Sequence, residues 1–117
     1  MEKIFFKFFF KFLLILNKLS SNRLIYKIVS SFQETSYVKL KILSNDIMFF
    51  VPNEITNWRV KTFFTQEPET LEWINSFNDK TKIIFWDIGA NIGLYSIYAT
   101  TRHSDIEVVS FEPSTNN

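Results

Sequence analysis

The run Asp87-Ile88-Gly89-Ala90-Asn91-Ile92-Gly93 holds both glycines of a 117-residue chain and follows directly on the apolar stretch Ile83-Ile84-Phe85-Trp86. Glycine makes up about 7% of an ordinary globular chain, so a sequence that keeps it only at a strand-to-helix turn needs main chain there without side chains. Gly89 is read as supplying close backbone approach or a positive φ, a conformation that costs other residues about 1–2 kcal/mol, and Gly93 as letting the next helix sit tightly on the strand. Asn91 can cap that helix, which leaves its first N–H groups available to a ligand carboxylate. Asp87 faces the positive end of the same helix.

A carboxylate completes the pattern. Glu112 follows Gly93 by nineteen residues, close to the spacing of about twenty at which an acid meets ribose hydroxyls in nucleotide-binding folds. Two hydroxyls donating to one carboxylate give charge-assisted bonds of about 1.5–3 kcal/mol each, and Pro113 biases Glu112 toward extended backbone. The dinucleotide fingerprint GxGxxG is absent, because Asn91 stands where its middle glycine would be, and the phosphate loop GxxxxGK[ST] is absent too. A pyrophosphate ligand and ATP are therefore disfavoured.

The elements that must position these residues form a β-α-β unit. Lys82 to Trp86 is apolar without alternation, the pattern of a central parallel strand covered on both faces. Leu94, Ile97 and Tyr98 recur at helical spacing, Arg102 and His103 close the helix where its dipole is negative, and Glu107 to Phe111 make a second strand. In such a unit the first turn and the acid after the second strand lie side by side at the carboxyl ends of the strands.

Upstream, Val38, Leu40 and Ile42 alternate with Lys39 and Lys41, Ser44-Asn45-Asp46 breaks the run, and Ile47 to Val51 return, so a β-hairpin is predicted. Pro52-Asn53 ends it, and an irregular link through Trp58 and Arg59 leads to a helix opening at Pro68, with Leu71, Ile74 and Phe77 as its buried stripe. Glu67, Glu69 and Glu72 favour that helix start.

The first residues are a separate problem. Phe5, Phe6, Phe8, Phe9, Phe10 and Phe12 crowd the opening, and Lys3, Lys7, Lys11 and Lys18 gather within about one quarter of a helical wheel. The longest apolar run there, Phe12 to Leu16, is too short to cross a bilayer, and Ser20-Ser21-Asn22-Arg23 is a poor match to the small-x-small pattern of a secretory cleavage site. Such a helix either caps the core of its own protein or lies at a membrane interface through residues 1–19. Asn22 to Phe32, with apolar residues at three-and-four spacing, reads as an ordinary core helix.

Composition sets outer bounds. Thirteen basic against twelve acidic residues give a net charge of +1, which argues against a general nucleic-acid footprint. With no cysteine the chain has no disulfide framework, thiolate metal site or thiol nucleophile. No metal site is expected.

Phe85-Trp86-Asp87-Ile88-Gly89-Ala90-Asn91-Ile92-Gly93-Leu94-Tyr95-Ser96, followed by Val109-Ser110-Phe111-Glu112-Pro113, resembles motifs I and II of S-adenosylmethionine-dependent methyltransferases of the FkbM type. The segment Glu67 to Ile74 also resembles sequence preceding motif I there, and the likeness covers roughly residues 37–117. It implies that Asp87, Gly89, Ala90 and Asn91 border the methionine part of S-adenosyl-L-methionine while Glu112 holds the ribose diol. It further implies a small-molecule, glycan, glycolipid or polyketide hydroxyl as acceptor, and an α/β fold that starts a Rossmann-like, doubly wound, seven-strand sheet.

On this reading residues 1–35 are amphipathic helices, 36–80 the hairpin and lead-in helix, and 81–117 the first β-α-β unit of a cofactor-binding domain, truncated after its second parallel strand. The chain is expected to be inactive alone, since a family member needs further strands, an adenine contact and an acceptor pocket, and no catalytic base can be named; it is expected to reside in the cytoplasm or to sit peripherally at the inner face of the membrane. The rival readings are an NAD(P)-dependent sugar oxidoreductase or epimerase fragment, which expects GxGxxG, and a non-catalytic membrane-peripheral protein.

Overall fold

A computed structural model describes residues 2–113, which divide into two compact units at residues 36 and 37. The chain is mixed α/β, with helices and two short sheets. In the first unit, α1 (Glu2–Leu19) and α2 (Leu24–Thr35) meet through a tight turn in which Ser21 and Asn22 take φ of 54° and 62°. Side chains replace the missing glycine there: Ser20 Oγ accepts the Leu24 N–H at 3.1 Å and Asn17 Oδ1 the Ile25 N–H at 3.0 Å. Neither helix contains a buried residue, so the expectation that 22–32 forms a core helix is overturned. Its apolar stripe has the right period, but among the described residues Leu24 and Ile25 are only half-buried and Ile28, Val29 and Phe32 are exposed.

The second unit opens with the expected hairpin, β1 (Tyr37–Ile42) against β2 (Asn45–Phe50), antiparallel with Val38 opposite Phe49 and Leu40 opposite Ile47. Asn45 and Asp46 belong to β2 rather than to the break, and Lys39 bridges Asp46 at 2.7 Å across the ladder. The turn is Leu43-Ser44, with Leu43 at φ 53°.

The predicted irregular link is instead a helix, α3 (Glu54–Gln66). Asn53 and Thr56 form a reciprocal cap: the Asn53 side chain accepts the Thr56 N–H at 2.9 Å, and the Thr56 hydroxyl accepts the Asn53 N–H at 3.4 Å. Thr56, Val60 and Phe63 then present one buried stripe at helical spacing. The next helix, α4 (Pro68–Asn75), begins at the proline as expected and buries Leu71 and Ile74.

Then follow β3 (Ile83–Ile88), α5 (Leu94–Arg102) and β4 (Ile106–Phe111), with β3 and β4 parallel, Phe85 opposite Val108 and Ile88 opposite Phe111. Contrary to the expectation of a strand covered on both faces, β3 alternates. Phe85 and Asp87 are 5% and 7% exposed, whereas Ile84, Trp86 and Ile88 are 62%, 62% and 75% exposed. Helix α5 covers one face, and among the described residues Trp86 stands open on the other beside Phe111, ring centroids 5.8 Å apart. One core joins hairpin, helices and sheet, with Ile42, Phe49, Val60, Phe63, Ile74, Phe85 and Tyr98 among its members.

Candidate functional site

The bend between β3 and α5 is built from three left-handed residues, Gly89 at φ 81°, Asn91 at φ 53° and Gly93 at φ 77°. Phe111 at the end of β4 fastens its start, its carbonyl accepting the Gly89 N–H at 2.8 Å and the Ala90 N–H at 3.0 Å. A Cβ placed on either glycine would meet nothing within 4 Å. Backbone conformation alone therefore calls for glycine at both positions, and the idea that Gly93 allows close helix–strand contact is corrected. The same openness leaves space along the outer side of the bend.

Asn91 does not cap α5. The cap position is Gly93, and one donor of the first turn is satisfied from the strand instead: Asp87 Oδ2 accepts the Ser96 N–H at 3.1 Å and the Ser96 hydroxyl at 2.6 Å. The Ser96 hydroxyl is also 2.6 Å from that of Ser110 on β4, so Asp87, Ser96 and Ser110 lock the helix across both strands. This anchoring uses Asp87 Oδ2. The Asn91 side-chain oxygen is buried without a hydrogen-bond partner among the described residues, and the N–H groups of Leu94 and Tyr95, the first two of α5, likewise find no acceptor there.

Glu112 reaches the bend: its Oε2 accepts the Asn91 N–H at 2.7 Å. Acid and glycine turn thus lie in direct contact, although they are twenty-one positions apart in the chain. Ala90 is buried beside them. Among the predicted residues, the structure brings Gly89, Ala90, Asn91 and Glu112 together, turns Asp87 inward to the helix and sets Gly93 at the helix start.

Next to the first turn of α5 lies a cavity of about 180 Å³ lined by α3, Glu67 and α5 residues, among them Trp58, Arg59, Gln66, Glu67 and Tyr95. The Tyr95 hydroxyl donates to Glu67 Oε2 at 2.9 Å. Burial and, after it, the Glu67 carboxylate push the Tyr95 phenol up to about 12. Sequence reasoning missed this cavity because it read Trp58 and Arg59 as linker; the Asn53–Thr56 pair and the Thr56, Val60, Phe63 spacing were the available signal.

Among the described residues no group of three or more His, Cys, Asp and Glu is placed to hold a metal ion. Comparison with family models, with curated proteins and with solved structures gives no match in any of the three.

Proposed function

We propose that residues 37–113 are the cofactor-binding front of an S-adenosylmethionine-dependent methyltransferase acting on a hydroxyl oxygen, and that β3, α5 and β4 begin a Rossmann-like sheet. The observation that carries the reading is the 2.7 Å contact between Glu112 and the Asn91 N–H, which sets an acid against a bend of left-handed residues with open space beside it. The fit to an adenosyl group follows from the donor set. A carboxylate oxygen accepts two hydrogen bonds, so Glu112 can hold a ribose hydroxyl while keeping Asn91. The orphaned Asn91 oxygen can accept from a ligand ammonium, and the Leu94 and Tyr95 N–H groups can donate to a ligand carboxylate.

When bound, the cofactor supplies an electrophilic methyl group on a sulfonium. The chain's own contribution is positioning: Asp87, through Ser96, fixes the helix end, and the two glycines hold the bend in a shape that side chains would strain. The acceptor class is a hydroxyl-bearing small molecule, glycan or glycolipid.

Calorimetric titration of S-adenosylmethionine, with NAD⁺ in parallel, tests the reading. We expect heat from the first and none from the second, and about a hundredfold loss of affinity in Glu112→Ala, the value of roughly 3 kcal/mol in charge-assisted bonds. Absence of binding by the unaltered chain, or equal binding by Glu112→Ala, would remove it.

A further inference from the structure

The first unit carries an apolar surface with a charge pattern that names its partner. Ten large apolar side chains of α1 are 42–79% exposed, and no residue of α1 is buried. Phe5 and Phe9 stack on one another, centroids 6.3 Å apart, on the side opposite the lysines. The basic charge is concentrated in the same place: residues 1–36 hold six basic against two acidic side chains, while residues 37–117 hold seven against ten.

These facts select among occupants. A protein groove takes a narrow stripe at three-and-four spacing. In α1 the apolar residues instead fill most of the wheel outside the lysine sector, which suits a medium that is apolar in every direction below the helix. No described helix is long and apolar enough to cross a membrane. An 18-residue helix is about 27 Å long, and its lysines recur along that whole length, so every turn or two meets water or phosphate.

We propose that α1 lies in the plane of an anionic lipid surface, with Phe5, Phe9 and Phe12 deepest and Lys3, Lys7, Lys11 and Lys18 at the lipid phosphates. Lysine stems reach upward along the helix to keep the ammonium groups wet while the rings occupy the boundary between headgroups and acyl chains. Burial of the rings supplies the binding, and the lysines select for anionic lipid and make the binding salt-sensitive. The proposal stands apart from the methyltransferase reading, since it involves no residue of the bend.

The test is co-sedimentation of the full chain with vesicles of equimolar phosphatidylcholine and phosphatidylserine, with pure phosphatidylcholine vesicles and with none. Expected are pelleting with the anionic vesicles, release by salt and weak or no pelleting with the neutral ones. Phe9→Asp with Phe12→Asp should lower partitioning by about a hundredfold or more, and Lys7→Gln with Lys11→Gln by about 25-fold, near fivefold per lysine. Because α1 buries nothing, neither pair removes a core contact; circular dichroism checks helicity, and the lysine pair decides if the aspartate chain loses it. Equal pelleting on both lipids, indifference to the lysine pair, or sedimentation without vesicles, the sign of a second copy covering the phenylalanines, would overturn the proposal.

Discussion

At its C-terminal end α5 runs into a packed cluster, whereas at its N-terminal end the same helix opens onto main chain that lacks partners among the described residues. His103 is 2% exposed. Its Nε2 donates to the Ile74 carbonyl at 2.8 Å, its Nδ1 meets the Asp79 carboxylate, and its ring stacks on Phe77 with centroids 5.6 Å apart. Nothing polar in that ring is left over. At the other end the bend holds three left-handed residues and, among the described residues, an Asn91 oxygen without a partner and two N–H groups without an acceptor, secured by Asp87 and Glu112. One end spends its polar groups on stability, and the other leaves some without a partner among the described residues, where the proposed ligand would use them.

The contrast breaks first at the packed end. His103→Ala leaves a cavity and removes the imidazole donor from the Ile74 carbonyl, which keeps the Phe77 N–H at 3.2 Å, so unfolding by denaturant should show a loss of about 3 kcal/mol, most of it from the cavity and the lost ring contacts. Affinity for a ligand at the bend should stay within about twofold in the same variant. Asp87→Ala should cost about 2 kcal/mol by removing both Ser96 bonds, and Asp87→Asn, which keeps an acceptor oxygen, should recover more than half. Gly89→Ala should cost about 1–2 kcal/mol. Since a Cβ there meets nothing, that cost is conformational, and Gly93→Asn should cost less than Gly93→Ala because asparagine tolerates the left-handed region.

Glu112→Ala sharpens the comparison, with about 1 kcal/mol lost in stability beside the far larger loss of cofactor affinity expected above. The smallest effect is at Tyr95. With its phenol raised to about 12 from an ordinary 10, the unfolded chain releases this proton first, so stability falls as pH rises between those values. Tyr95→Phe should remove a late phase from the alkaline absorbance titration, and Glu67→Gln should move that phase earlier.

How much of this was legible depends on what each residue answers to. The hairpin, the proline-led α4 and the β-α-β order follow from local period and turn chemistry, which a single sequence displays. The Glu112–Asn91 contact was also foreseeable, because parallel pairing of β3 and β4 brings their carboxyl ends together. Helix α3 was obscured because its cap uses Asn53 and Thr56 in place of the more familiar serine and glutamate. Asn91 was read as a cap from its residue type, but Asp87 took that role from a neighbouring strand. The burial of His103 hangs on Asp79 and Ile74, more than twenty positions away, and no local pattern announces it. Nor does amphipathic period reveal whether anything covers the face, as α2 illustrates.

Trp86, on the open side of the parallel pair next to Phe111, gives the molecule a built-in optical gauge. An indole bathed in solvent emits at long wavelength even when the chain is fully folded, so fluorescence from this position says little about denaturation. It would move toward the blue, and resist quenching by iodide, when another polypeptide surface settles over that side of the sheet.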